Sequence, residues 1–431
     1  MDIRGDKHGR VRSFVRERRF DFYVWRGSMI RRFGAPEEVV SITGTVGKTS
    51  ATNMIAAILA KRGKVHLGVD ANAPRPVSQK LARLPWRCKY WVQEASGSYP
   101  GQLAKSNKFM RATVSVVTTV AGDHIKAFKD LDDVAVEKGS IAARLPKDGL
   151  AVLNADDPRV LAIRDRCRCR IVTFGHSEEA DIRILDWSDG LPDTLRLTVT
   201  DGSETREIRT QFAGSRWLVS IGAAIATTRS LGVPFAEICE TLEGFEPYLY
   251  RDSIHHLSDG SYIVLDCFKN AMTSFESSME VVRDSRSPRK IVVVGTLSGY
   301  RGDASSKYRK VARQALEVAD VVCFYGKQSK HVRKLVAESE GRLHMFDDVF
   351  NLNRFIEDTR RPNDLIYVKS TRADHLERLW HDREEPISCW IEYCGRETIC
   401  HYCDLLRGDR VLGRGLEHSA PADAEDRSGA A

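Results

Sequence analysis

The decisive stretch of this 431-residue sequence reads Val40-Ser41-Ile42-Thr43-Gly44-Thr45-Val46-Gly47-Lys48-Thr49-Ser50. A short run rich in β-branched residues stops at a glycine, and a segment compatible with a helix begins at Lys48. This layout is typical of a loop that wraps phosphates, because glycines let backbone N–H groups approach the oxygens, a lysine adds positive charge and a threonine hydroxyl can bind Mg²⁺. The full phosphate-loop spacing would place glycine where this chain has Ile42. The alternative is an ordinary strand-to-helix turn with an exposed lysine.

Strand-like and helix-like segments alternate after residue 38, which predicts an α/β fold with a mainly parallel sheet. The predicted elements of the first unit are strands 39–43, 64–68, 90–94, 113–118, 150–154 and 171–174, helix 48–62, a β-rich passage at 182–212, and helices 216–231 and 235–243. The alternation restarts after Glu246-Pro247. The second unit has predicted strands 262–266, 290–295, 320–325 and 365–368, and predicted helices 274–283, 306–318 and 349–358.

Composition is that of a globular chain, with 42% hydrophobic residues. No apolar run approaches the ~18 residues that span a bilayer, and the N-terminus has no apolar signal-peptide core, so we expect a cytoplasmic location and no nucleic-acid partner. Six of the ten cysteines are scattered, which predicts reduced thiols.

Much of the net charge of +7 lies in residues 1–34, where aromatic residues accompany the basic ones. This arm is either an amphipathic helix for an anionic membrane or a protein surface, or a packed helix covering the first domain.

Three side chains that can bind metal ions or carry charge follow predicted strands of the first unit. Glu94 ends the strand 90–94, His124 comes shortly after the strand 113–118, and Lys138 lies fourteen residues further on. In open α/β sheets ligands bind outside the carboxyl ends of the strands, so a carboxylate and an imidazole there could hold Mg²⁺ against phosphates. Singly, each also has an ordinary explanation, as a helix cap, a turn histidine or a solvated lysine.

Together with the glycine loop, these residues resemble the Mur ligase family. The resemblance extends from residue 39 to about 380. It rests on the motifs Thr43 to Thr49, Glu94-Ala95-Ser96-Gly97-Ser98-Tyr99-Pro100-Gly101, Thr118 to His124, Glu137-Lys138-Gly139, Asn154-Ala155-Asp156-Asp157-Pro158 and Phe174-Gly175. The Pro-Gly after Glu94 and the late run 364–372 are similar to the branch that adds D-alanyl-D-alanine.

The resemblance implies a Mur-ligase-type P-loop ATP-binding central domain followed by a smaller Rossmann-like α/β C-terminal domain. The expected segments are a basic arm at 1–38, the central domain at 39–246, the C-terminal domain at 247–387, a Cys-rich segment at 388–410 and a disordered tail at 411–431.

The resemblance also implies a role for each site residue. ATP would be bound by Gly44, Thr45, Val46, Gly47, Lys48, Thr49, Ser50, Asn154, Arg251 and Asp266. Asn154 would bind adenine, Arg251 the phosphates, and Asp266 would lie on the ribose side. Two Mg²⁺ ions would be held by Thr49, Glu94, His124 and Lys138, and the catalytic residues would be Lys48, Lys138 and His124. Lys138 would be carbamylated, which explains a lysine beside cations that would repel a free ammonium by roughly 1 kcal/mol at 4 Å.

The implied activity is an ATP-dependent, ADP-forming carboxylate–amine ligase that works through an acyl phosphate. Mur ligases of the wall pathway have a further N-terminal domain for the UDP-sugar, whereas only about 38 residues precede the loop here. We therefore expect a small or lipid-linked carboxylate and an amino acid or amine as substrates. The alternatives are a polyglutamate-type chain-extending ligase and a catalytically inactive ATP-binding partner or scaffold, against which the Lys48, Glu94, His124 and Lys138 set argues.

Four late cysteines form a second candidate site. Cys389, Cys394, Cys400 and Cys403 lie within fifteen residues, which suits a tetrahedral structural Zn²⁺. The gaps between them are irregular, and the adjacent Trp390 and Tyr393 favour thiols that face an apolar core. Both interpretations remain open at this point.

Overall fold

The computed structural model describes residues 4–69, 72–122, 127–300, 302–392, 394–396 and 398–408, with the side chains of the first helix described from Glu17 onward. His124 and the predicted tail at 411–431 lie outside these residues. Within the described ranges, no helix is both long and apolar enough to cross a membrane.

The first domain is built on a nine-stranded sheet in the described residues. Its strands are β1 Glu38–Thr43, β2 Val65–Gly68, β3 Tyr90–Glu94, β4 Val114–Val117, β5 Leu150–Asn154, β6 Arg170–Gly175, β7 Ile182–Gly190, β8 Asp193–Thr200 and β9 Thr205–Arg209. The sheet order is β2-β3-β1-β4-β5-β6-β7-β8-β9. In this order, all neighbouring strands from β2 to β7 pair in parallel. Strands β8 and β9 then pair antiparallel and form one edge of the sheet. Strands β3, β4 and β5 are buried along their whole length because helices cover both faces of a parallel sheet.

Helices of the first domain carry apolar faces that pack on this sheet. They are α1 Arg4–Gly34, α2 Lys48–Ala60, α3 Pro74–Ala82, α4 Gln102–Met110, α5 Leu131–Ala142, α6 Pro158–Leu161, α7 Leu218–Ser230 and α8 Phe235–Glu243. The apolar side chains Met54, Ile55, Ile58 and Leu59 of α2 are fully buried in the core. This burial fixes the direction of α2 and therefore the position of the glycine loop before it.

Helix α1 lies on the first domain. The ring of Phe20 meets the ring of Phe109 edge-on, with centroids 5.8 Å apart. A Cβ added to Gly27 would lie 2.2 Å from Leu81 Cγ, so the helix approaches α3 closely. Arg31 Nη1 donates a 3.0 Å hydrogen bond to the Phe109 carbonyl oxygen. For residues 17–34 these contacts support the packed-helix interpretation of the basic arm.

The second domain repeats the α/β pattern on a six-stranded sheet of the described chain. Its strands are β10 Arg251–His256, β11 Tyr262–Asp266, β12 Lys290–Val294, β13 Val321–Tyr325, β14 Leu343–Phe346 and β15 Leu365–Lys369. Its helices are α9 Met272–Asp284, α10 Ala304–Leu316, α11 Arg333–Glu338, α12 Val349–Thr359 and α13 Arg378–Glu384. The sheet order is β10-β11-β15-β12-β13-β14, with only the β10–β11 pair antiparallel.

Strand order reverses at one point in each sheet. In the first domain β1 lies between β3 and β4, and in the second β15 lies between β11 and β12. Ligands of open α/β sheets bind in the crevice outside such a reversal, at the carboxyl ends of the strands. The predicted α/β class with mainly parallel sheets is confirmed, and the topology directs attention to the loops that follow β1, β3, β11 and β15.

Candidate active site

The loop between β1 and α2 is held against the end of β4. Gly44 adopts φ +145°, and a Cβ there would lie 1.9 Å from Thr118 Oγ1, so a larger residue cannot occupy this position unless the loop moves. The Thr45 N–H donates to the Thr119 carbonyl oxygen at 2.8 Å. Gly47, at φ +82°, is the N-cap residue of α2 and has no side chain to cap the N–H groups of the helix. The helix N-terminus is therefore open to an anion, which its dipole favours.

Two oxygen-bearing side chains meet beside this loop. Thr49 Oγ1 donates to Glu94 Oε2 at 2.9 Å, and Asn72 Nδ2 donates to Glu94 Oε1 at 3.1 Å. Lys48 Nζ donates to the Thr45 carbonyl oxygen at 3.0 Å, so the lysine folds back over its own loop. A hydroxyl and a carboxylate oxygen are donors of the kind that Mg²⁺ prefers, so this pair fits a magnesium ion.

Helix α5 brings two adjacent charged residues into the buried space beside α4. Glu137 accepts hydrogen bonds of 2.7 Å from the N–H groups of Gly101 and Leu103, and so caps the N-terminus of α4. Lys138 is buried as well. The carbamate assigned to Lys138 from the family resemblance remains a prediction.

The second domain contributes a buried ion pair. Asp266 and Lys369 end neighbouring parallel strands in register, and Lys369 Nζ forms an ion pair with the Asp266 carboxylate. Burial lowers the pKa of Lys369, while the charge of Asp266 opposes that shift. Arg251, at the start of β10, stacks on Phe268, with its guanidinium carbon 3.9 Å from the ring centroid.

Arg216 connects the two domains. It lies in a 3₁₀ turn, Ser215–Trp217, at the entrance to α7. Its guanidinium forms an ion pair with Asp252 and donates to Ser278 Oγ at 3.1 Å and to Tyr367 Oη at 3.2 Å, all in the second domain. Asp266 lies 3.8 Å away. The motifs of the sequence gave no signal for Arg216, because its partners are distant in the chain.

A cavity of about 240 Å³ separates the glycine loop from the second domain. Its lining includes Thr45, Val46, Gly47, Ser50, Arg216, Trp217, Arg251, Asp266, Phe268, Lys269 and Lys369. An apolar cavity of about 440 Å³ adjoins it, lined by Thr49, Asn53, Trp217, Phe245, Tyr248 and Arg251 among others. Trp217 and Arg251 line both cavities, so a polar compartment with several cations lies next to one with aromatic walls.

Seven of the ten predicted nucleotide residues line these cavities, whereas Gly44, Lys48 and Asn154 line neither. Asn154 bonds elsewhere. Its Nδ2 donates to the Thr118 carbonyl oxygen at 2.9 Å, and its Oδ1 accepts from the Asp156 N–H at 3.0 Å. These bonds give Asn154 a part in holding the loops after β4 and β5. Contact between Asn154 and adenine stays a prediction, as does the role of His124.

The structure does not bring the four late cysteines together. Among the described residues, the group of three metal-binding side chains includes Cys400 but none of the other three. Cys400 is buried with Ile387 and Leu406, whereas Cys403 Sγ faces Arg396 Nη1 at 3.4 Å on the surface. Within the described residues the four thiols therefore do not form one metal-binding group, and Cys400 lies in a small apolar core instead.

Comparison with known proteins assigns this geometry to a family. The family described as Mur ligase middle domain matches residues 42–228, which contain the glycine loop, Glu94 and Lys138. Residues 42–228 are therefore similar to the middle domain of Mur ligases. The resemblance of its motifs to the Mur ligase family is thereby confirmed.

Curated Mur ligases match the chain over more than this domain. The UDP-N-acetylmuramate–L-alanine ligase of Sulfurihydrogenibium sp. (strain YO3AOP1) is 29% identical over 276 residues, which cover 62% of this chain and 56% of that protein. The UDP-N-acetylmuramoyl-tripeptide–D-alanyl-D-alanine ligase of Escherichia coli (strain K12) is 25% identical over 362 residues, 82% of this chain and 78% of that protein. The chain spans little more than half the length of the first of these relatives.

Solved Mur ligases share the fold. The D-alanyl-D-alanyl-adding ligase of Acinetobacter baumannii superposes with a TM-score of 0.73 at 19% identity, covering 86% of this chain and 80% of that one. The MurF ligase of Thermotoga maritima, solved in complex with ADP, gives 0.72 at 19% identity, with coverage of 85% and 84%. The predicted fold of two Mur-ligase-like α/β domains is confirmed.

Proposed function

We propose that this protein is an ATP-dependent ligase that joins a carboxylate to an amine through an acyl phosphate and releases ADP. The observation that carries the proposal is the hydrogen bond from Thr49 to Glu94 beside an uncapped helix N-terminus, opposite Arg216 and Arg251 across a cavity. Glycine-loop amides suit phosphate oxygens, and the paired hydroxyl and carboxylate suit the metal ion that accompanies them.

The nucleotide would lie across the two cavities. Its phosphates would contact the loop amides and Lys48, with Arg251 closing from the second domain and Asp266 on the ribose side. The aromatic walls formed by Trp217 and Tyr248 support a place for the base in the apolar cavity. This differs from contact with Asn154, whose amide already bonds to neighbouring loops.

Magnesium would be held by Thr49 and Glu94, with a second ion at His124 and a carbamylated Lys138. Bound there, Mg²⁺ would neutralise charge on the transferring phosphoryl group. Lys48 would add a positive charge at the same phosphates, and the second domain would exclude water when it closes over them.

The reaction proceeds in two steps. A carboxylate oxygen of the first substrate attacks the γ-phosphorus of ATP, the bond to the β–γ bridging oxygen breaks, and ADP leaves with that electron pair. The amine nitrogen then attacks the acyl carbon, loses a proton, and the tetrahedral intermediate expels inorganic phosphate. One ATP is converted to ADP and phosphate for each amide bond formed.

The substrates are proposed from the chemistry of the relatives' names. Those names pair a UDP-N-acetylmuramoyl carboxylate with L-alanine or D-alanyl-D-alanine. For this chain we propose a small or lipid-linked carboxylate and an amino acid or amine in cell-wall-like or peptide-conjugate synthesis. Polyglutamate-type chain extension and an inactive ATP-binding scaffold are the alternative outcomes of the test.

The test is a screen of carboxylate and amine pairs for release of ADP and phosphate by the purified full chain. We expect ADP formation that requires both substrates and is abolished in Lys48→Ala, while the exposed Lys61→Ala variant of the same helix region retains it. Production of AMP instead of ADP would contradict a reaction through an acyl phosphate. Turnover that survives in Lys48→Ala would contradict the assignment of the loop.

The basic arm is proposed as a contact surface for an anionic membrane. Phe22, Trp25, Met29 and Phe33 form an exposed apolar stripe on α1, on the side away from its contacts with α3. Exposed arginines flank the stripe, which gives the face the charge that anionic lipid attracts. Cosedimentation with vesicles of anionic lipid, and not with zwitterionic ones, is expected for the native chain and is expected to be lost in Trp25→Ser/Phe33→Ser.

A further inference from the structure

Three buried side chains that can bind metal ions meet at the N-terminus of α13, and none of them lines either nucleotide cavity. His375 is 2% exposed, Glu377 1% and Cys400 6%. His375 Nδ1 lies 3.5 Å from Cys400 Sγ and 3.5 Å from Glu377 Oε1. All three donor atoms lie within 4.8 Å of one another. Each comes from a different chemical class, an imidazole, a carboxylate and a thiol.

These separations match a tetrahedral metal centre. With a Zn–S bond of about 2.3 Å and Zn–N and Zn–O bonds of about 2.0–2.1 Å, tetrahedral angles place neighbouring donors about 3.4–3.6 Å apart. A thiolate together with an imidazole favours zinc over magnesium or calcium, which prefer oxygen donors alone.

The hydrogen bonding of His375 presents the correct nitrogen. Nε2 lies 3.1 Å from the Arg396 carbonyl oxygen, which can only accept, so Nε2 carries the proton. In the neutral ring that a metal ion binds, Nδ1 then carries the lone pair, and it is Nδ1 that faces Cys400 and Glu377. A metal-binding histidine is ordinarily oriented by just such a bond from its second nitrogen to a carbonyl or carboxylate.

The same geometry argues against a nucleophilic Cys–His–Glu relay. In a relay the thiol and the carboxylate bind opposite nitrogens of the imidazole. One ring nitrogen accepts the proton of the thiol, and the carboxylate orients the ring through the N–H of the other nitrogen. Here Cys400 and Glu377 both face Nδ1, and the thiol is buried. Donors that converge on a common point are what a metal ion requires.

We propose that His375, Glu377 and Cys400 bind one zinc ion, which fixes the late Cys-rich segment to the second domain. Two of the three ligands lie outside that segment, so the site differs from the four-cysteine arrangement. The segment is already anchored there: Arg378 Nη1 donates to the carbonyl oxygens of Cys389 at 3.2 Å and Ile391 at 2.9 Å. The Cys400 N–H also donates to Glu377 Oε1 at 2.9 Å. A zinc ion would add a strong link at the centre of these contacts.

The experiment measures metal in the full chain, purified without a histidine tag or chelators and under reducing conditions. We expect about one zinc per chain by elemental mass spectrometry, a loss of at least tenfold in His375→Ala and Cys400→Ala, and no loss in Cys403→Ala. Cobalt exchanged into the wild-type protein is expected to show a thiolate-to-cobalt charge-transfer band that Cys403→Ala keeps.

Two results would overturn the site. One is wild-type protein that contains no zinc above background and shows no thiolate–cobalt band on reconstitution. The other is metal content that falls as far in Cys403→Ala as in Cys400→Ala. If a ligand variant fails to fold by circular dichroism, the cobalt spectrum of the wild-type chain still decides. Neither readout needs turnover, so the result is independent of the proposed ligase activity.

Discussion

Thr49 Oγ1 donates a 2.9 Å hydrogen bond to Glu94 Oε2, although the two residues lie 45 positions apart. The contact exists because β1 and β3 are parallel neighbours whose register pairs Ile42 with Glu94, so the residues after β1 meet the end of β3. One residue belongs to the glycine loop and helix, the other to a separate motif. Sheet pairing brings the two side chains together beside the loop that is proposed to bind phosphate and metal.

Glu94→Gln keeps the shape of the side chain and removes its charge. We expect ADP release to fall by about 100- to 1,000-fold, because an uncharged amide cannot balance a divalent cation beside the phosphates. Thr49→Ala should lower it by about 10- to 100-fold. Steady-state kinetics at several Mg²⁺ concentrations measure both. Thr241→Ala, on the distant helix α8, is the matched control, and equal losses in all three variants would contradict the metal assignment.

Lys138→Ala tests the carbamate. We expect ADP release to be abolished in buffer and partly restored by added formate or acetate, since a small carboxylate can replace the missing metal ligand. The measurement is initial velocity against carboxylate concentration, with the Lys105→Ala variant of α4 as control. Full turnover of Lys138→Ala without any additive would show that the residue is not a carbamylated ligand.

Arg216→Ala removes the buried bridge between the domains. We expect the KM for ATP to rise and the free energy of unfolding to fall by about 3–5 kcal/mol, because Asp252 keeps a buried charge without its partner. Arg286→Ala is the matched control, since Arg286 also crosses between domains, to Asp193, but on the surface, where a pair contributes about 0–1 kcal/mol. Urea unfolding and ATP saturation curves distinguish the two. Similar small effects in both variants would contradict the role of Arg216 as a buried bridge between the two domains.

His66 gives the first domain a pH dependence. Burial lowers the pKa of His66 from 6.5 to about 4, while its hydrogen bond to the Lys80 carbonyl oxygen opposes that shift. As the pH falls, His66 is protonated in the unfolded chain before it is protonated in the folded one. The free energy of unfolding therefore decreases between pH 6.5 and about 4, by at most about 1.4 kcal/mol per pH unit. His66→Gln should flatten that slope in denaturant titrations. The exposed His256→Gln should leave it unchanged, and an unaltered slope in His66→Gln would contradict the assignment.

Gly27→Ala tests the packing of α1. Its new Cβ would meet Leu81 Cγ at 2.2 Å, so we expect a loss of about 1–3 kcal/mol in the free energy of unfolding. Gly34→Ala is the control in the same helix, because its Cβ would lie 3.6 Å from the Trp86 ring, an ordinary contact. Thermal melts of both variants measure the difference. An equal response would mean that α1 is not held against α3.

The alternation of elements was predictable because buried parallel strands and amphipathic helices leave different periodicities in the chain. The edge strand Arg251–His256 and the short strand Leu343–Phe346 were not predicted, since each is brief and its pairing partner supplies much of its stability. The role of Glu137 was missed for a related reason, because a side chain that caps another helix has no local signature.

The sequence by itself determined the glycine loop and the order of the two α/β units, since these follow from local spacing and backbone conformation. The family resemblance added Thr49, Glu94 and Lys138 as candidate site residues, and their roles stay predictions. Only the tertiary structure decided that Arg216 meets Asp252, that Asn154 bonds to neighbouring loops, and that Cys400 joins His375 and Glu377 instead of Cys403. The physical reason is that a side chain's partners depend on which strands and helices become neighbours, and the burial of apolar faces far along the chain sets that arrangement.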